Sequence, residues 1–242
     1  MEEERVNPHI IKSILDRADE LLKDLEEEYN HCLQANKVTD RAKNITHEVL
    51  EKLRSALDQT MFQAWEKYVS HNLSHKQIES AHVYFPITSD LNSFRSMLGR
   101  GFMTNLDSIH INLYDFILNR QPFKSKENQW LDLLSKIAAE GKHIRLTPQK
   151  RTETRRIKVS RSDGKSVSWD PSSVRFGSSG VSIVGAPIDP RTQRIVPTPG
   201  VIEQVEIWVS FILEGYDVNA LGFCKQACQK TRVLIEEMVN LI

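Results

Sequence analysis

Residues Thr39 to Tyr68 limit the fold more than any other stretch of this chain. Thr39 and Asp40 are helix-capping residue types, and they follow the break at Ala35, Asn36 and Lys37. Ala42, Ile45, Val49, Leu53, Ala56, Thr60 and Ala64 then recur at helical spacing. Leu50, Leu57, Met61, Trp65 and Tyr68 form a second row beside them. Two adjacent apolar rows make a stripe wide enough to meet more than one neighbour. A helix of this length is a rod of roughly 45 Å, so the pattern predicts the spine of a helical bundle.

The helices around it follow from similar signals. Pro8 opens a helix over 8–34 whose apolar residues run from Ile11 to Cys32 and whose other face is acidic. Val83-Tyr84-Phe85-Pro86-Ile87 reads as an extended segment or edge strand. Ser89 and Asp90 offer a cap for a helix through Leu91, Phe94, Met97 and Leu98. Asp107 or Ser108 opens another, with Ile109, Leu113, Phe116 and Ile117 expected inward. A third runs from about Asn128 to Glu140 and ends at Gly141.

From Arg156 the period changes from helical to alternating. Ile157 and Val159 lead into Asp163-Gly164, a two-residue hairpin signal, and Val167 and Trp169 return. Gly177-Ser178-Ser179-Gly180, Asp189-Pro190-Arg191 and Pro197-Thr198-Pro199-Gly200 mark further turns. The clearest strand is 204–213, where Val205, Ile207, Val209, Phe211 and Leu213 alternate with Glu206, Trp208, Ser210 and Ile212. Its half-apolar second face predicts a central strand or one covered by a helix. Asn219 caps a last helix. The expected class is α+β: a helical bundle over 1–147, then a mostly antiparallel sheet and a C-terminal helix over 148–242. Residues 147–156 are short and charged rather than a flexible linker, so one compact unit is expected.

Charge narrows the functional classes. Lys and Arg number 32 and so do Asp and Glu, so no whole-chain field steers the molecule towards nucleic acid or acidic membranes. The distribution is uneven: residues 1–30 hold ten acids against four bases, and 142–165 hold nine bases against Glu153 and Asp163. The opening Met-Glu-Glu-Glu lacks the basic and apolar regions of a signal peptide, and no apolar run reaches the roughly 18 residues of a membrane span. With only Cys32, Cys224 and Cys228, a reducing, cytoplasmic setting without membrane attachment is expected.

The candidate chemistry is sparse. Cys224 and Cys228 lie four apart on an apolar helix face, where thiols pack as small hydrophobes. His71 and His75 also stand four apart, but Asn72 occupies the place a zinc protease needs for glutamate, so no metal or other cofactor is expected. Gly177 to Gly180 lacks the Gly-Lys-Ser/Thr ending of a phosphate loop. The basic run offers more: Lys142, Arg145, Lys150, Arg151, Arg155, Arg156 and Lys158 are candidates for an acidic partner or RNA. In a strand, alternation sends Arg156 and Lys158 to one face and Ile157 and Val159 to the other. The same charges can instead guard a sheet edge, or pair with the acidic first helix.

Arg41 and His47, with five residues between them at a helix start, resemble the motif of HEPN-family ribonucleases. The resemblance implies a homodimer in which Arg41 stabilises charge and His47 transfers a proton while the RNA 2′-hydroxyl attacks the adjacent phosphate without a metal. Here the pair stands on the second helix, whereas that family places it late in the bundle. A helical wheel points His47 outward with Glu51, Arg54 and Asp58. A broader likeness over 40–150 rests on Arg54-Ser55-Ala56-Leu57-Asp58, Tyr84-Phe85-Pro86-Ile87, Gln121-Pro122-Phe123, Trp130-Leu131 and Lys142-His143-Ile144-Arg145-Leu146. It is similar to a group of uncharacterised bacterial helical-module proteins and implies no particular activity. The reading that follows is a non-catalytic binding protein, with a metal-independent endoribonuclease as its alternative.

Overall fold

The computed structural model describes residues 8–35, 37–140, 148–177 and 180–242, with the side chains of Glu140 and Trp208 excepted. The protein is α+β. It divides into two compact units, residues 1–150 with 212–242, and residues 151–211. The C-terminal helix lies in the first of these units.

In the first unit, α1 (Pro8–Ala35) and α2 (Asp40–Tyr68) pack along their lengths. The α1 stripe Ile11, Leu15, Ala18, Leu21, Leu25, Tyr29 and Cys32 is buried throughout. Thr39 caps α2, its Oγ1 accepting from the Ala42 N–H at 3.1 Å. The spine expectation holds and is exceeded: α2 also packs against α7 (Gln129–Glu140) and α8 (Ala220–Val239). Its buried set includes Thr46, His47, Thr60 and Gln63 beside the two apolar rows. Thr46 and Thr60 offset their burial by donating to the carbonyls of Ala42 and Ala56, each at 2.8 Å.

Residues 83–88 form no strand; the segment lies extended on α2. Asp58 Oδ1 accepts from the Phe85 N–H at 2.9 Å, and Arg54 Nη2 donates to the Phe85 carbonyl at 2.8 Å. Gln121 bonds Pro86 and Thr88 of the same segment. Asp90 caps α4 (Leu91–Arg100), accepting from the Ser93 N–H at 2.9 Å. The helix expected from Asp107 is two helices, α5 (Leu106–Ile109) and α6 (Ile111–Asn119). His110 interrupts them, its Nδ1 accepting from the Leu113 N–H at 3.2 Å, and the break leaves Ile109 exposed rather than inward. Between α2 and α4, the short α3 (His75–Ser80) follows a single 3₁₀ turn. Asn219 caps α8 through the Gly222 N–H at 2.7 Å. Arg232 ties α8 to Asp19 and to the Leu15 carbonyl of α1, and Lys225 pairs with Glu26 at 2.5 Å.

The strands are β1 (Gln149–Arg161), β2 (Ser166–Trp169), β3 (Ser182–Ile183), β4 (Ala186–Asp189), β5 (Arg194–Ile195), β6 (Val201–Leu213) and β7 (Val218–Asn219). The longer sheet has the order β2-β1-β6-β7 and the shorter one β3-β4-β5. A hairpin forms where Asp163-Gly164 predicts one, but its loop has three residues, 162–164, rather than two. Ser160 stands opposite Ser166 and the Arg161 N–H donates to the Lys165 carbonyl, with Ile157 opposite Trp169 and Val159 opposite Val167. The β3–β4 turn at Val184-Gly185 is unexpected, because Val184 adopts φ 46°, a region that a β-branched side chain resists. Ile157, Val159, Trp169, Ile183 and Ile188 form the core of the second unit. Trp169 and Phe176 meet edge to face, with ring centroids 5.3 Å apart. Ser178 and Ser179 of the expected glycine-flanked turn lie outside the described residues.

Candidate nucleic-acid interface

β1 carries most of the basic run, and its two faces differ. Ile157 and Val159 enter the core, so Arg156, Lys158 and Ser160 occupy the opposite face. Pairing with β2 sets Ser168 beside Lys158 and Ser166 beside Ser160, so two further hydroxyls join that face. Thr152 and Thr154 continue the same alternation, and residues 153–156 are all exposed.

Carboxylates are not spread evenly among these cations. Glu153 takes Arg151 at 2.5 Å and Arg155 at 3.9 Å. Asp163 takes Arg161 at 2.8 Å and Lys165 at 3.7 Å. Among the described residues, none lies within 4.0 Å of Arg156 or Lys158. On the neighbouring β6, Arg194 holds Glu203 at 2.6 Å, which leaves Glu206 as that strand's other acid. β1 and β6 together carry six bases against three acids. Chemically, this face is a strip of cations and hydroxyl donors, the side chains that commonly meet phosphate oxygens. Glu206 of β6 stands opposite Arg156 in the register that the Ser162–Gly200 and Glu214–Pro148 bonds set, yet not within 4.0 Å of it. Lys150 is exposed in the first unit, and Lys142 and Arg145 lie outside the described residues.

Arg41 and His47 take different environments. Arg41 stays at the surface, with Nε 3.3 Å from Oε2 of Glu28. Glu28 is itself buried and also accepts from the Thr39 hydroxyl at 2.5 Å. His47 does not project into solvent as the wheel predicts, because only 4% of its surface is exposed. The reason is that α2 has neighbours on more sides than its two apolar rows reveal.

The remaining candidates fall to packing. α2 ends at Tyr68, so His71 lies in the 3₁₀ turn and His75 opens α3, and the two share no helix face. His71, His75 and His82 are exposed, and His75 Nδ1 lies 3.4 Å from Glu79. Among the described residues there is no group of three or more His, Cys, Asp or Glu placed to hold a metal ion. Cys224 and Cys228 are buried and free. Burial pushes the Cys228 thiol up to about 11, and burial likewise raises that of Cys224, so neither favours the reactive thiolate.

Two features escape sequence reasoning. A buried polar cluster joins α1, α2 and the start of β1: the Tyr29 hydroxyl donates to Gln149 Oε1 at 2.5 Å, and Gln149 Nε2 donates to Thr46 Oγ1 at 3.1 Å. Tyr29 and Thr46 stand within helical patterns that read as ordinary, so only their proximity gives them away. The second is a groove of about 770 Å³ along α2, lined by Arg17, Glu48, Lys52, Arg54, Tyr84 and Ser135 among others. Acids and bases alternate along it, so it presents no single sign of charge.

The chain matches no protein-family model, no curated protein and no solved structure. No helix among the described residues is long and apolar enough to cross a membrane.

Proposed function

We propose that the protein is a non-catalytic RNA-binding protein that seats a phosphate backbone on the Arg156–Lys158 face of β1 and the adjoining serines of β2. The observation carrying this reading is the division of charge within one strand. Arg151, Arg155 and Arg161 have carboxylates within 4.0 Å, whereas Arg156 and Lys158 stand beside exposed hydroxyls without one among the described residues. A protein partner would want a buried apolar or aromatic anchor at the centre of the patch. This strip of cations and hydroxyls suits phosphate better.

The test is fluorescence anisotropy with a labelled single-stranded RNA over a series of KCl concentrations. Each phosphate contact contributes roughly 0.7 to the slope of log affinity against log salt. Arg156→Glu with Lys158→Glu therefore lowers that slope by about 1.4. Arg155→Glu, on the other face and beside Glu153, changes it less. An unchanged slope in the double variant sinks the proposal. An acidic peptide that binds with the same salt sensitivity, where RNA does not, assigns the face to a protein partner. Gel analysis of the same RNA after incubation in EDTA tests the alternative: cleavage that His47→Ala abolishes assigns a ribonuclease with Arg41 and His47 as its pair.

A further inference from the structure

The β1–β6 pair has two outer edges, and they are defended differently. β2 covers β1 only over residues 157–160, and β7 reaches β6 only at Ile212 and Leu213. The Ser162 N–H donates to the Gly200 carbonyl, and the Glu214 N–H to the Pro148 carbonyl. Even-numbered residues of β6 thus turn their backbone groups towards β1, and Val205, Ile207 and Val209 turn theirs to the outer edge. On β1 the corresponding edge carries Arg151, Glu153 and Arg155, the charged guard expected of an edge strand. β6 has no Lys or Arg from 201 to 213, and it leaves Val205 47% and Ile207 54% exposed.

We infer that the outer edge of β6 pairs with the same edge of a second copy of this chain, antiparallel and centred on Ile207. Charge selects this edge. Pairing through β1 would bring Arg155 of one copy within about 5 Å of the other copy's strand. Pairing through β6 keeps the two β1 strands three strand spacings apart, roughly 14 Å, beyond the screening length of about 10 Å at ordinary salt. A register centred on Ile207 sets Val205 against Val209 of the second copy and keeps both Glu206 residues out of direct opposition. It needs only one self-complementary patch, as a two-fold interface does. A single strand edge buries less than the roughly 1,600 Å² of a standard interface, so the dimer is weak and depends on concentration. Dimerisation would align two basic strands in one continuous sheet, yet the inference does not depend on RNA binding and is tested without nucleic acid.

Sedimentation velocity over a concentration series tests it, with each variant first checked for a wild-type thermal melt. The wild-type sedimentation coefficient rises from the monomer towards the dimer value. Ile207→Lys, which adds the missing guard at an exposed position, stays monomeric over the same range. Ile207→Cys gives a disulfide-linked dimer on oxidation, because directly opposed residues of such a pair have Cα atoms about 5.5 Å apart. Val205→Cys does not link to itself. The native cysteines are buried and do not compete. A wild-type coefficient that is flat with concentration, or association that Ile207→Lys leaves intact, overturns the inference.

Discussion

Gln121 is fully buried, and both ends of its amide are used. Nε2 donates to the Pro86 carbonyl at 2.8 Å and to the Ile117 carbonyl at 3.0 Å. Oε1 accepts from the Thr88 N–H at 3.1 Å and from the Thr88 hydroxyl at 3.2 Å. Gln121→Met keeps the length of the side chain and removes all four bonds. The Thr88 hydroxyl retains the Asp90 carbonyl at 3.3 Å, so the groups left stranded are the Thr88 N–H and the Pro86 and Ile117 carbonyls. Each costs about 1–3 kcal/mol when buried without a partner, and partial relaxation brings the expected loss to about 2–4 kcal/mol. Urea unfolding measures it as a lower midpoint at an unchanged m-value.

Gln121→Glu makes the same argument testable by pH. Its second oxygen would face the Pro86 and Ile117 carbonyls, two acceptors that repel a carboxylate, so the folded protein holds this carboxyl well above the ordinary value of about 4.3. Over that interval the folded state binds more protons than the unfolded one, and stability rises as pH falls from neutral towards about 4.3. The deficit of Gln121→Glu relative to wild type therefore shrinks over that range, while that of Gln121→Met stays constant. A Gln121→Met loss below about 0.5 kcal/mol, or a Gln121→Glu deficit indifferent to pH, would refute the idea that this amide holds the extended segment.

Three other outcomes follow from the structure. Arg54→Met removes the ion pair with Asp58 at 2.9 Å and the bond to the Phe85 carbonyl, and both partners are mostly buried. A loss of about 2–3 kcal/mol is expected, discounted for partial exposure from the 3–5 of a fully buried pair, with Arg54→Met/Asp58→Leu costing less than the sum of the singles in a double-mutant cycle. Gly164→Ala meets no atom within 4 Å, so its cost in thermal or urea unfolding is that of φ 84° alone, about 1–2 kcal/mol. Cys228 titrates at about 11 when folded against an ordinary 9.0, and Tyr29 is also raised by burial. The contribution of Cys228 to stability is present below pH 9.0 and is lost as pH rises through about 11. That of Tyr29 is lost at higher pH, starting from the ordinary 10.0 of a phenol, and Cys228→Ala with Tyr29→Phe reduces this decline in pH-dependent unfolding.

The parts of the fold legible in the sequence are those specified by neighbours along the chain. Thr39, Asp90 and Asn219 announce helix starts because a side-chain oxygen reaches an N–H only two or three residues away. Asp163-Gly164 announces its hairpin because the turn itself demands a positive φ, which Gly164 supplies. Val184-Gly185 gives no such notice: nothing local favours a valine at φ 46°, and it persists because it packs against the core of Ile183 and Ile188. His47 and Val205 fail in opposite directions for one reason. Periodicity tells which residues share a face, but whether the face is covered depends on distant segments. α2 packs against α1, α7 and α8, and His47 on it is buried. The middle of β6 leaves valine and isoleucine exposed on the face predicted to be its core.

The candidate interface divides along the same line. Alternation alone separates Arg156 and Lys158 from Ile157 and Val159, and the hairpin register then brings Ser166 and Ser168 alongside. That parity also puts Arg151, Glu153 and Arg155 on one face, so the acid within the basic run neutralises its own side and leaves the other charged. The composition of residues 142–165 therefore overstates the charge available to a ligand, and the face defined by strand parity is the better guide to which cations to change. The edge of β6 needed more than parity. Its exposure follows from β7 being too short to flank the middle of β6, a fact held in the pairing of the sheet and in no local pattern. A single lysine at residue 207 tests whether that unguarded edge is where two copies meet.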